Sequence, residues 1–150
     1  GVIMGVLGKK AKVNRTFEDV LLSGTDDYFA LMIVGGPGTQ VHLWNNRHLI
    51  ELITIFNTKQ KVVAGIGNAP IVIAKSGILK KKVATVAPGP TIREMMKEDA
   101  IIQNKPVVFK DRIVTAQGHE AAEEFASVII KYEKEDPEFV PTSGKAGFAF

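Results

Sequence analysis

The residues able to do chemistry are few. Cysteine is absent and only three histidines exist, His42, His48 and His119. The missing thiol excludes a thiolate nucleophile, a cysteine-ligated zinc site and a disulfide-stapled secreted module. The remaining signals are two glycine-rich turns that present free backbone N–H groups, Gly35-Gly36-Pro37-Gly38 and Gly65-Ile66-Gly67-Asn68-Ala69-Pro70. The second follows an apolar run and opens a helix, which invites a dinucleotide reading. That template needs Gly or Ala where Pro70 stands and an acidic residue about 20 positions on, and Thr85 to Pro90 has none. The first turn is no P-loop, because no Gly-Lys-Ser/Thr follows. A nucleophile elbow fits better: a buried strand enters a sharp turn and a helix leaves at once, with N–H groups placed for an oxyanion. Its apex is Gly67, which tolerates the backbone strain and offers no nucleophile.

Substitute reagents are limited. His119 directly follows Thr115-Ala116-Gln117-Gly118, where it would be a base at a helix start; the competing reading is a solvent-exposed residue. A non-covalent hydrolase would use Gly36 and Asn68 N–H groups as oxyanion donors. Asn68 also reads as a turn residue tolerating the left-handed region, and Gln117 as pocket lining or surface. His42 and His48 flank a helix start near Trp44 and read as surface or packing residues. The expected ligand set is Gly35, Gly36, Gly67, Asn68, Gly118 and His119, for a small carbonyl or carboxylate, with no cofactor and no metal.

The elements that position these residues alternate short apolar runs with amphipathic stretches, the pattern of an α/β domain with a largely parallel sheet. Strands are expected at Phe29–Val34, Val62–Ile66 and about Lys82–Val86. Helices are expected from Asn45 or Asn46 with a stripe of Leu49, Ile50, Leu52, Ile53 and Phe56, from Pro70 to Gly77, and near Thr91–Glu98. Val107–Phe109 and Ile113–Thr115 read as a tight hairpin. A last helix, about His119 to Lys134, carries Ala122, Phe125, Val128, Ile129 and Tyr132 inward. Val13 and Leu21-Leu22 are assigned to a short edge hairpin. In open sheets of this kind ligands bind beyond the carboxyl ends of the strands. Gly35 to Thr39, Gly67 to Pro70, Ala87 to Pro90 and Gln117 to Glu120 are expected to converge there.

Composition bounds the rest. The 150 residues, 45% hydrophobic and 23% charged with net charge +3, fit one globular domain at 1–134 followed by a tail at 135–150 that ends Phe148-Ala149-Phe150. The mild positive balance, with Lys80-Lys81-Lys82 read as a solvated turn, gives no nucleic-acid stripe. No apolar run approaches the ~18 residues of a membrane span. The opening Gly1-Val2-Ile3-Met4 lacks a signal-peptide pattern. A cytoplasmic setting is expected.

In order along the chain, Tyr28-Phe29-Ala30-Leu31-Met32-Ile33-Val34-Gly35-Gly36-Pro37-Gly38, Lys61-Val62-Val63-Ala64-Gly65-Ile66-Gly67-Asn68-Ala69-Pro70, Ala74-Lys75-Ser76-Gly77-Ile78-Leu79-Lys80 and Thr115-Ala116-Gln117-Gly118 resemble the PfpI intracellular-protease-like group. That group belongs to the DJ-one superfamily and is related to class I glutamine amidotransferases. The resemblance runs from about Gly5 to Tyr132. It implies a flavodoxin-like three-layer sandwich with a mostly parallel sheet, here lacking the family's N-terminal strand and helix, so that a sheet edge is left unpaired. It also implies self-association as a homodimer or higher assembly. The family's elbow residue is Cys, followed by His in protease-like members, where this chain has Gly67 and Asn68. Deglycase-like members place a His where Ala87 stands. The resemblance therefore implies a member inactive in thiol chemistry that binds a small molecule or serves assembly. The alternative is a non-thiol hydrolase, lyase or glyoxalase/deglycase-like enzyme in the same pocket. An amidotransferase role fails without a cysteine.

Overall fold

A computed structural model describes residues 1–4 and 7–135, the side chain of Ile3 excepted. The expected tail beyond Glu135, with Phe148 and Phe150, lies outside the described residues. A β-hairpin of β1 (Val2–Met4) and β2 (Lys10–Lys12) opens the chain. Val13 N–H donates to the Gly1 carbonyl at 2.9 Å and closes its open end. Leu21 and Leu22 do not join this hairpin. They lie in α1 (Phe17–Ser23), which Thr16 starts with a capping box: its hydroxyl accepts from Asp19 N–H, and the Asp19 carboxylate accepts from Thr16 N–H. Those hydrogen bonds hold the Asp19 carboxyl below its ordinary pKa. Phe17, Val20 and Leu21, three and four apart, pack against the core, and that helical spacing decides the element.

The main sheet has the order β3-β4-β8-β7. β3 (Ala30–Ile33), β4 (Val62–Ile66) and β8 (Ile113–Ala116) run parallel, and β7 (Val107–Lys110) pairs antiparallel with β8. The two-residue turn between β7 and β8 places Asp111 and Arg112 at φ 53 and 63, the twist that a primed hairpin turn demands. The strand expected at 82–86 is shorter, β5 (Val83–Ala84). It pairs in parallel with β6 (Ile101–Ile102) as a separate two-stranded sheet. β5 is tied to the main sheet through side chains: Thr85 N–H donates to the Thr115 hydroxyl, which donates to Val108 O.

Helices cover both faces, so the fold is the expected three-layer α/β sandwich. On one face, α3 (Arg47–Thr58), capped by the Asn46 side chain, buries Leu49, Leu52, Ile53 and Phe56. Beside it pack α1, α4 (Pro70–Lys75) and α5 (Thr91–Lys97), around Leu31, Ile33, Val63 and Ile113. A short α2 (Thr39–His42) bridges β3 and α3. On the other face, α6 (Ala122–Glu135) sets Phe125 and Ile129 against Val62, Ala64, Val114 and Ala116. A 3₁₀ turn at His119–Ala121 precedes it. That tighter start rotates the register, so Ala121 is buried where Ala122 was expected, and Ala122 is exposed.

Candidate functional site

Because β3, β4 and β8 are parallel, their carboxyl ends lie on one side, and the turns after them meet there. The all-apolar β4 delivers the chain to Gly67, whose φ of +73 is the left-handed conformation that an elbow apex requires. Its peptide groups are anchored to neighbouring segments. Gly67 N–H donates to Ala116 O at 2.9 Å, and Gly67 O accepts from Ala87 N–H at 2.8 Å. The elbow, the end of β8 and the loop at Ala87 are thereby fixed together.

Asn68 ties in the remaining turn. Its Oδ1 accepts from Gly36 N–H and its Nδ2 donates to Gly36 O, both at 3.0 Å. This two-point clamp crosses 32 residues of sequence, and both partners are part-buried. It works because the turns approach closely. A Cβ on Gly35 would stand 2.6 Å from Ile66 O and 2.9 Å from Asn68 Oδ1. Behind the apex, a Cβ on Gly65 would meet Ile73 Cδ1 at 2.8 Å and Pro70 N at 3.1 Å. Backbone contact thus requires glycine at Gly35, whereas at Gly65 a side chain would have to displace the Ile73 tip and crowd Pro70 N. At Gly67 the situation is reversed: a Cβ would find only Gly35 Cα, at 3.8 Å. Space for a side chain exists at the apex, and no reactive atom fills it.

Gly35, Gly36, Gly67 and Asn68 therefore form one joined cluster. Gly118 and His119 follow β8 on the same side of the sheet. Gly118 is extended, at φ 177, and His119 is exposed with its ring in no hydrogen bond. His42 and His48 are exposed as well. The Gln117 side chain donates to Asn104 Oδ1 at 2.9 Å, so its amide is tied to the loop ahead of β7. Just past Ala87, a surface hollow of about 480 Å³ is lined by Gly89, Pro90 and Arg93. Among the described residues no group of three His, Cys, Asp or Glu could hold a metal ion, and no helix is long and apolar enough to cross a membrane.

Sequence reasoning located the elbow but missed the Asn68 clamp and the steric role of Gly35 and Gly65. The available signal was an Asn one residue past the apex together with glycines at two adjacent strand ends.

The DJ-1/PfpI family profile matches residues 1–132. The chain belongs to the DJ-1/PfpI family. An uncharacterized protein of Methanocaldococcus jannaschii is 43% identical to it over 132 residues, covering 87% of this chain and 63% of that relative's length. This DJ-1/PfpI chain therefore spans about three fifths of that relative. A ThiJ/PfpI domain protein from Brachyspira murdochii superposes with a TM-score of 0.79 at 29% identity, over 91% of this chain and 76% of that one. DJ-1beta from Drosophila melanogaster superposes with a TM-score of 0.72 at 21% identity, over 87% and 68%, a likeness of fold.

Proposed function

We propose that this DJ-1/PfpI member does not carry out thiol chemistry and acts as a binding or assembly protein built on the family's elbow framework. The observation that carries the reading is Gly67: the apex keeps its left-handed backbone at φ +73 and bears no nucleophile. Loss of a nucleophile alone lowers the rate on the order of 10⁶-fold in a serine protease. What remains is a rigid junction of backbone groups at Gly35, Gly36, Gly67 and Asn68, with Gly118 and His119 on the same side. A small carbonyl or carboxylate compound is the ligand class that such N–H groups suit. The cytoplasmic setting belongs to this reading and rests on composition.

The alternative, a non-thiol hydrolase, lyase or glyoxalase/deglycase-like enzyme, needs the Gly36 and Asn68 N–H groups as oxyanion donors and His119 as base. Gly36 N–H is already donated to Asn68 Oδ1, and the exposed His119 ring has no partner to orient it. Both observations favour the non-catalytic reading.

The binding half is tested by titrating isotope-labelled protein with glyoxylate while following backbone amide resonances. Saturable shifts at Gly67, Asn68 and Gly118 are expected. Shifts confined to distant surface lysines, or none at millimolar ligand, would overturn binding at this site.

A further inference from the structure

Gly36 is bonded unequally through its carbonyl and its N–H. The carbonyl accepts three hydrogen bonds: from Thr39 N–H at 3.1 Å, from the Thr39 hydroxyl at 2.9 Å and from Asn68 Nδ2 at 3.0 Å. A carbonyl oxygen has two lone pairs, so the Thr39 bonds satisfy it without Asn68. Thr39 is buried and starts α2, which fixes both of those bonds within the turn itself. The Gly36 N–H has one acceptor, Asn68 Oδ1 at 3.0 Å. Releasing the Asn68 side chain therefore leaves the Gly36–Thr39 turn held and orphans a single donor, which points at the elbow. A Cβ built on Gly35 would lie 2.9 Å from Asn68 Oδ1 and 3.1 Å from Asn68 N, so the amide oxygen and the Asn68 N–H border the same side of Gly35. Asn68 is half-buried, within reach of small solutes.

We propose that the Asn68 side chain is a displaceable plug: its amide oxygen occupies the oxygen seat of the elbow, and a ligand bonds Gly36 N–H only once Asn68 has swung away. The plug presupposes the binding reading of the elbow and adds its control step. In the closed state Asn68 sits on Gly36. In the open state the Gly36 and Asn68 N–H groups are both offered to a ligand oxygen. A ligand that binds the open state alone has its apparent affinity lowered by the fraction of molecules that are open. The plug also selects among ligands. A neutral carbonyl trades like for like with the Asn68 amide oxygen and gains nothing from the exchange. A carboxylate oxygen accepts a bond roughly twice as strong. The seat therefore admits small carboxylates and holds out neutral carbonyl compounds, and Asn68 is the residue that draws the distinction.

The test compares the unmodified chain with Asn68→Ala by backbone amide resonances, using glyoxylate and formamide as probes. Formamide replaces the atoms that the substitution deletes. Glyoxylate should shift Gly36 in both proteins, with an apparent Kd ~10-fold or more lower in Asn68→Ala. Formamide should bind the variant alone, restore slow hydrogen exchange at Gly36 and compete there with glyoxylate. Equal glyoxylate affinity in the two proteins would overturn the plug. So would formamide binding to the unmodified chain, or a folded variant whose Gly36 ignores formamide. A measurement on the unmodified chain covers the case in which Asn68→Ala does not fold. The Asn68 Nδ2 protons should be less protected from exchange than Gly67 N–H, which is bonded to Ala116 O. Equal protection would mean that the clamp opens only with the fold, and the plug would fall. Failure of the binding reading looks different: glyoxylate leaves both proteins unshifted while formamide still protects Gly36 in the variant, which counts against that reading and for the seat.

Discussion

Two turns leave neighbouring parallel strands on the same side of the sheet, and they are built on opposite principles. At the elbow, Gly67 takes φ +73, its N–H and C=O are both bonded across segments, and Asn68 clamps Gly36 at two points. At the end of β8, Gly118 is extended and His119 stands exposed, with its ring unbonded. The elbow has the geometry without a reagent. The second turn has a titratable ring without the geometry. Catalysis needs both at one place; on the proposed reading the elbow serves as a binding framework, with the second turn beside it on the same side of the sheet.

Substitutions on the two sides should separate accordingly. The largest effect is expected at Gly35→Ala. The new Cβ would meet backbone at Ile66 O at 2.6 Å, which cannot rotate away, so a loss of about 3 kcal/mol, at the top of the overpacking range, should appear in urea unfolding. Asn68→Ala comes next. It removes both bonds to Gly36 and leaves a part-buried peptide group unpaired, at a cost of about 2 kcal/mol, with faster hydrogen exchange at Gly36 than at Gly67. Gly67→Ala has room for its methyl but must hold a left-handed backbone. Its cost is expected at about 1–2 kcal/mol, read as a lower melting midpoint without loss of the Asn68 clamp. His119→Ala should change stability by less than about 0.5 kcal/mol; a larger loss would show that the second turn is anchored after all.

A smaller effect outside both turns calibrates the series. Asp19 has its folded pKa depressed by the Thr16 capping box. Its contribution is therefore present above the unfolded carboxyl value of about 3.9 and is lost as pH falls through the lower folded value. NMR titration should show Asp19 titrating below a model peptide, with α1 fraying before the elbow amides exchange.

Much of the fold was legible because the deciding forces are local. The unbroken apolar run Val62–Ile66 reads as a strand covered on both faces, and the Asn46 cap and the Leu49, Leu52, Ile53, Phe56 spacing define α3. The sharp turn at Gly67 is likewise written in the order of strand, glycine and Pro70. Other features depend on contacts distant in sequence. Leu21-Leu22 lacked the alternation of a strand, and the capping pair Thr16–Asp19 was the overlooked local signal. The short β5 and its pairing with β6 depend on the Thr85–Thr115 link. The Asn68 clamp depends on how near Gly35 brings two loops, which no spacing rule records. The elbow was therefore readable as backbone, whereas its side-chain lock became visible only in three dimensions.

The central claim is that the elbow persists without its chemistry. Its most direct test is a turnover assay of the pure, unmodified chain on methylglyoxal, a glycated amine and a peptide substrate, run beside the His119→Ala and Asn68→Ala variants. The account predicts rates equal to the uncatalysed background for all three proteins. Turnover by the unmodified chain that either substitution abolishes would contradict it.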